Sequence, residues 1–334
     1  MKKSLTAPVK DVYKVRNWQS YNKKLCERGR ITLWIEDSVL RQWRDIDVKK
    51  KVVGEAMYPD SVIQCCLILG YKYGQKLRQT TGFVSDLLRL MGKAEYAVPD
   101  YTTLSRRQKS LPVELTERWK RGEKIDVGID STGLKVYGEG EWKVRKHGVS
   151  KRRTWRKLHI AIDIVTQEII SVELTGNDED DAKVGNKMLQ GKTDKLRSFR
   201  GDGAYDDFAF RKTLGKDVKQ IIPPPIDAVV HPIGKGTPKN TPKWYLEQRN
   251  EAIESIKASS RAEWKIQEGY HKRSRNEVVM FRFKSTFGGH MNTRNLESQK
   301  TEVLLSLLNQ CPHLSFRPFS NVVSSLLANS FDGD

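Results

Sequence analysis

Apolar and polar positions follow two rhythms along this chain, and the change falls near Pro112. Before it the spacing is helical. From Asp37, Val39, Leu40 and Trp43 recur at near-helical intervals, and Tyr58-Pro-Asp-Ser then gives a stop and a fresh N-cap. Val62, Ile63, Cys66, Leu67 and Leu69 form a second apolar set. After a basic turn Phe83, Leu87, Leu88, Leu90 and Met91 form a third, so two helices packed on each other are predicted between Ser61 and Gly92. Asp100 or Thr102 caps a short helix whose polar face offers Ser105, Arg106, Arg107 and Lys109. That helix reads either as the second helix of a helix-turn-helix or as a solvated connector.

Beyond Pro112 the pattern alternates. Lys124 to Asp130 is rich in β-branched residues and predicts a strand ending in Asp130. Leu158–Asp163 and Glu168–Thr175 predict a hairpin turning at Ile164–Gln167. The acidic run Asp178–Asp181 suits the N-terminus of a helix through Ala182–Leu189. Leu196–Asp202 reads as a fourth strand with an aspartate at its exit, and Gly201 and Gly203 let backbone come close to it. A helix from Asp206 to Leu214 and a fifth strand, Val218–Ile222, follow before a run of three prolines. After a Pro/Gly/Lys loop, helices are predicted near 244–258, 261–284 and 296–308.

Three hairpin-ordered strands, a helix, a strand, a helix, a strand and then helices is the order of an RNase H-like α/β fold, a five-stranded mixed sheet flanked by helices. In that order the first and fourth strands are neighbours, so Asp130 and Asp202 emerge together although 72 positions separate them. Glu277 belongs to a helix that could reach the same end of the sheet. Each aspartate alone could be a strand-end cap. Three converging carboxylates repel one another and call for a cation, and Mg²⁺ suits few carboxylates and phosphate oxygens. The implied chemistry is metal-assisted phosphodiester cleavage and transfer, with Asp130, Asp202 and Glu277 as catalytic residues and metal ligands.

Tyr270, Arg273, Glu277 and Lys284 stand at offsets 0, 3, 7 and 14. On one helix these fall within an arc of about 60°. A solvated basic face with a chance Glu is the bland alternative. The functional one is a helix whose carboxylate ligates a metal while the other three groups bind phosphate oxygens.

Charge moves the balance. The 334 residues carry 60 Lys plus Arg against 41 Asp plus Glu, a formal charge of +19, which implies a polyanionic partner. No apolar run approaches ~20 residues and the start lacks a signal-peptide centre, so a soluble, cytoplasmic protein with no membrane partner is expected. Four Cys and six His give neither a disulfide framework nor zinc spacing. The basic segment between the first two strands includes Lys143, Arg145, Lys146, Arg152, Arg153, Arg156 and Lys157, interleaved with Trp142 and Trp155. Such a mix suits DNA backbone and unpaired bases, although each Trp could instead pack in a core.

Asp130–Gly148 (DSTGLKVYGEGEWKVRKHG), Arg152–Asp163 (RRTWRKLHIAID), Gly201–Asp206 (GDGAYD) and the Y-x2-R-x3-E-x6-K of Tyr270–Lys284 together resemble the insertion-sequence-five family of bacterial DDE transposases. RNWQSYNKKLCERGRITLWI and VPDYTTLSRRQKSL upstream are similar to it too. The resemblance implies that Asp130, Asp202 and Glu277 are the triad, and that Tyr270, Arg273 and Lys284 hold transposon-end DNA near the cut. It further implies Mg²⁺, or Mn²⁺ in its place, with transposon ends and target DNA as double-stranded partners; joining two ends calls for a homodimer as the working form, although no coiled-coil or interface pattern in the sequence identifies it. Asp181 falls where family members often carry an acidic residue. The expected organisation is a helical DNA-binding region over 1–115, a catalytic domain over 116–310 and a tail over 311–334 outside the resemblance. A DNA-binding relative without activity, and a structure-directed nuclease without strand transfer, are the rival functions; charge alone would also allow an RNA-binding protein.

Overall fold

A computed structural model describes residues 37–47, 57–113, 122–136, 155–231 and 243–308, and positions 18, 19, 22, 23, 26 and 35. Lys143, Arg145, Lys146, Arg152, Arg153, Trp142 and the tail from 311 lie outside the described residues.

The N-terminal helices are α1 (Asp37–Arg44), α2 (Asp60–Lys72), α3 (Leu77–Leu90) and α4 (Tyr101–Arg107). Val39, Trp43, Ile63, Leu67, Val84, Leu88 and Leu104 bury the apolar sets read from the sequence into one cluster. Asp100 caps α4, its carboxylate accepting from the Thr102 amide at 2.8 Å. The helix-turn-helix expectation is not met. Residues 91–100 join α3 to α4, much longer than the three- or four-residue turn of that motif. The Trp43 indole pins this connection by donating to the Ala97 carbonyl at 2.7 Å. Arg107 is tied down as well, to Asp60 at 2.5 Å and to the Tyr58 carbonyl at 2.7 Å.

The second half is a mixed sheet: β1 (Ile125–Val136), β2 (Trp155–Asp163), β3 (Ile169–Gly176), β4 (Leu196–Arg200), β5 (Lys219–Ile221) and a two-residue β6 (His290–Met291). Their order is β3-β2-β1-β4-β5, with β6 also on β1. β1–β2 and β2–β3 are antiparallel, whereas β4 and β5 join in parallel. This is the RNase H-like arrangement, with a sixth strand added to the expected five. Helices α5 (Asp181–Leu189) and α6 (Phe208–Leu214) cover one face, where Ile125, Val127, Ile129 and Phe199 pack on Met188, Leu189 and Phe210. On the other face Leu158, Ile160 and Ile162 meet Val279, Met280 and Phe283 of α9 (Ser274–Phe287) and Val303 and Leu307 of α10 (Leu296–Leu308). Each fully buried aliphatic chain contributes about 1.5–3 kcal/mol. The helix α10 also packs its Leu305 into the N-terminal cluster, and the Gln108 amide donates to the Ser298 carbonyl at 2.9 Å. One helix thus joins both cores.

Two boundaries differ from the sequence reading. First, β1 does not end at Asp130 but runs on to Val136, in unbroken register with β2. Gly133 makes this possible: a Cβ there would stand 3.1 Å from the Trp155 ring that covers it. Consequently Trp155, Arg156 and Lys157 lie on a strand rather than in a loop. Second, the helix expected over 261–284 is broken. Helix α8 (Arg261–Gln267) stops before Gly269, whose φ of 62° is the left-handed conformation that glycine adopts without cost. A 3₁₀ turn, Tyr270–Arg273, follows before α9. Before α8, helix α7 (Lys243–Ala258) supplies Ala252, which clusters with Trp264 and Ile221.

Candidate active site

Parallel pairing puts Val127 opposite Phe199 and Gly128 opposite Arg200. Continuing that register by two residues sets Asp130 level with Asp202, on the face that α9 covers. Along this edge β1 is paired with β4 only as far as Gly128, and with β6 only from Lys135. Asp130 therefore sits in a gap of the sheet while β2 supports its other edge. Gly128 lets α9 into the gap, since a Cβ there would collide with the Asn276 side chain. Asn276 is buried and donates to the Ile160 carbonyl at 3.4 Å, which seats the first turn of α9 on the sheet. Glu277 is the next residue.

The centre of the site is a guanidinium. One terminal nitrogen of Arg273 lies 2.9 Å from Asp130 Oδ2, and the other lies 2.7 Å from Glu277 Oε1. Asp202, at the mouth of a 3₁₀ turn (Gly203–Tyr205), accepts from the Ala204 amide at 3.0 Å. Burial raises the pKa of Asp130; Asp202 and Glu277 push it the same way, against Arg273 and the Ser131 amide. The Arg273 pKa is also raised: burial opposes its charge, but Asp130, Tyr270, Glu277 and Asp202 outweigh that cost. One cation is shared among three carboxylates. Tyr270, half-buried, has its pKa raised by burial and by Asp202 and Asp130, with Arg273 opposing. Its ring meets Trp264 at 6.4 Å, with the Lys265 ammonium 5.0 Å from its centroid.

Asp130, Asp202, Glu277, Arg273 and Tyr270 are thus gathered in one place. Lys284 lies on α9 two turns beyond Glu277, and among the described residues its ammonium has no ion-pair or hydrogen-bond partner. The single helical stripe expected from Tyr270 to Lys284 is corrected by the break at Gly269: only Glu277 and Lys284 share α9, while Tyr270 and Arg273 belong to the preceding turn. Arg156 and Lys157 are engaged internally. Arg156 donates to Gln299 of α10 at 2.9 Å, and the Lys157 ammonium meets Asp181 Oδ2 at 2.8 Å.

Asp181 opens α5 below the site. Its carboxylate lies 3.2 Å from His159 Nδ1, and His159 is fully buried on β2 with Nε2 3.0 Å from the Thr175 hydroxyl. Burial alone would raise the Asp181 pKa; hydrogen bonds from His159, Lys157 and Ser131 overturn this and hold it at about 2. The Ser131 amide in turn donates to Asp130 Oδ1 at 2.9 Å. Tyr205 is buried beside Asp181, Asp202 and Asp130, and its hydroxyl has no hydrogen-bond partner among the described residues.

Sequence reasoning missed a second cluster. Asp206, four residues beyond Asp202, is almost wholly buried between Arg211 of α6 at 2.8 Å and Arg249 of α7 at 3.1 Å. Arg249 also donates to the Val229 carbonyl, and Arg211 to the Ile222 carbonyl. The loop carrying Asp202 is thereby fastened to two helices and to the segment after β5.

Residues 26–139 match a family described as a transposase DDE domain, and so, to a second such family, do residues 121–310, more than half of the chain. The chain belongs to the DDE transposases. A chain of the Drosophila P element transposase strand transfer complex is similar over 95% of this chain and 94% of that one, at 10% identity and a TM-score of 0.29, a likeness too distant to carry structural inference. This transposase is a metal-dependent enzyme acting on DNA. Among the described residues, no three His, Cys, Asp or Glu stand close enough to hold a metal ion as they are. The donor set nevertheless fits one. Asp130, Asp202 and Glu277 offer only hard oxygen ligands, they are short of positive charge, and two of them already grip a stand-in cation. Among the described residues no helix is long and apolar enough to cross a membrane.

Proposed function

We propose that this transposase, of the insertion-sequence-five group, binds the terminal inverted repeats of its own element, cuts there, and joins the freed 3′-hydroxyls to target DNA. The observation that carries the reading is that one guanidinium bridges Asp130 and Glu277 beside Asp202, at a gap in the sheet of a DDE transposase chain. Asp130, Asp202 and Glu277 would hold Mg²⁺, or Mn²⁺ in its place. When bound, such ions neutralise the scissile phosphate and acidify the attacking hydroxyl.

The chain's own residues supply position. Asp130 projects from β1 and Asp202 stands two residues past the end of its neighbour β4, so backbone pairing brings them level and the turn after β4 sets the rest. Glu277 closes the set from α9. Lys284, on the same helix, takes a phosphate of the transposon end, and Tyr270 offers a hydroxyl beside Arg273. Water attacks the scissile phosphorus and the 3′ oxygen leaves. In the second reaction that 3′-hydroxyl attacks a target phosphate and a target 3′ oxygen leaves. Both need an oxygen nucleophile, a phosphate and charge neutralisation, so one site serves both. The basic segment with Lys143, Arg145, Lys146, Arg152 and Arg153 extends the DNA path, residues 1–115 recognise the repeats, residues 116–310 form the catalytic domain, and a homodimer in the bacterial cytoplasm holds two ends.

The test is a labelled duplex carrying the element's terminal repeat, incubated with protein with and without Mg²⁺. Metal-dependent nicking at the repeat boundary is expected, lost in Asp202→Asn and Glu277→Gln by about a thousandfold or more while binding persists. Cutting retained in Glu277→Gln would sink the site assignment. Tight repeat binding without cutting in either metal would identify a DNA-binding relative without activity.

A further inference from the structure

Arg273 spans Asp130 and Glu277 with its two terminal nitrogens, at 2.9 and 2.7 Å. Its side chain is only 18% exposed, and the Tyr270 ring lies 5.9 Å from its central carbon. The resemblance drawn from the sequence has this arginine hold DNA. Two of its five N–H donors are committed to carboxylates here, which leaves fewer to clamp a phosphate. A divalent ion on Asp130 Oδ2 and Glu277 Oε1 would set two further positive charges against the guanidinium that the same oxygens hold. We propose that Arg273 is a tethered counter-cation that holds the metal's place, and that its release links metal loading to capture of the DNA end. The inference rests on the assignment of Asp130, Asp202 and Glu277 as metal ligands.

The charges give the reason for such a device. Without a cation, three converging carboxylates would repel one another and strain the first turn of α9 away from β1. Arg273 supplies one positive charge, enough to hold Asp130 to Glu277 but too little to satisfy all three. A divalent ion brings two charges and displaces it. The freed guanidinium stays on a short turn beside the site, where a phosphate is then its best partner. Conversely, a DNA phosphate that draws Arg273 away uncovers both carboxylates. By linkage the two effects are equal: DNA tightens metal binding by the same factor as metal tightens DNA binding.

The experiment measures Mn²⁺ binding by electron paramagnetic resonance, with no cleavage required. It uses the full chain, with and without a short duplex ending in the terminal repeat. Without DNA, Arg273→Gln should bind Mn²⁺ more tightly than the natural protein, within the roughly 5- to 150-fold span of ordinary site coupling. Arg273→Lys, which keeps the charge but not the fork, should fall between. The duplex should tighten Mn²⁺ binding in the natural protein and do so much less in Arg273→Gln. In the natural protein, labelling of Arg273 by phenylglyoxal should rise on adding Mn²⁺ and fall again when DNA follows, a readout that holds even if a variant fails to fold. Asp130→Asn separates the two readings. If it binds Mn²⁺ like the natural protein, the metal-site assignment itself has failed. If it loses Mn²⁺ while Arg273→Gln gains nothing, or while labelling ignores Mn²⁺, the assignment stands and the counter-cation inference is overturned.

Discussion

Two carboxylate–guanidinium clusters lie four residues apart around the Asp202 loop, and they are built in opposite ways. At Asp206 one carboxylate, 3% exposed, has two arginines. At Asp130 one arginine bridges two carboxylates beside a third, Asp202, and Glu277 is 58% exposed. The first cluster is closed and its negative charge is fully answered; nothing remains for a ligand to do. The second is open and short of positive charge. Ion pairs of similar geometry therefore carry different meanings. A saturated cluster fastens the loop, and a deficient one is where a cation is wanted.

The sharpest way to break that comparison is to remove the aspartates. Asp206→Ala leaves two buried arginines without their partner and should cost about 3–5 kcal/mol in urea unfolding. Asp130→Asn should move the unfolding midpoint slightly the other way. Its folded pKa is raised, so any stability tied to the proton is present only at low pH and is lost as pH rises through the folded value; near neutrality the charge is a net burden. Equal losses in both variants would show that the clusters are energetically alike.

The sequence showed one of these clusters and hid the other, for a physical reason. Strand periodicity and glycine are local signals, and they were enough to order β1 to β5 and to bring Asp130 level with Asp202. The register did the rest, because parallel neighbours share a face. Asp206 pairs with Arg249 across 43 positions, in two segments with no shared pattern, so neither announces the other. Asp181 was visible as an acidic helix start, but Asp180 is the cap, and the buried His159 that faces Asp181 reads in sequence as one more strand residue. The helix break before Tyr270 did leave a trace: Gly269 stands where a helix C-terminus would place it. The extension of β1 past Asp130 shows only in the fold, where the Trp155 ring covers Gly133.

A third carboxylate sharpens the comparison at intermediate cost. Asp181, held at about 2, is answered by the Lys157 ammonium at 2.8 Å and so stands nearer the saturated kind. A depressed pKa gives stability that is present above the unfolded value near 4 and lost as pH falls toward 2. Allowing for solvent screening, the contribution is about 1–2 kcal/mol. Urea midpoints measured from pH 5 to pH 2 should fall more steeply for the natural protein than for Asp181→Asn. Parallel curves would remove Asp181 from the structural group and leave it as a candidate for the site.

The smallest expected effect concerns a cation that, among the described residues, neither cluster uses. Lys284 shares α9 with Glu277 but lies about 10 Å further along the axis, out of reach of the carboxylates and of Arg273's two partners. Its charge is not consumed in folding, so Lys284→Ala should leave the urea midpoint within about 0.5 kcal/mol. Binding to the terminal-repeat duplex should weaken modestly, and the slope of log affinity against log salt should shrink by about one phosphate contact. Arg156→Ala is the matched control, because Arg156 spends its guanidinium on Gln299. Removing it should lower stability and leave the salt slope alone. If the two variants exchange these outcomes, then the pairing seen in the folded chain does not predict which cations meet DNA, and the distinction between saturated and deficient charge fails at the place where it is easiest to measure.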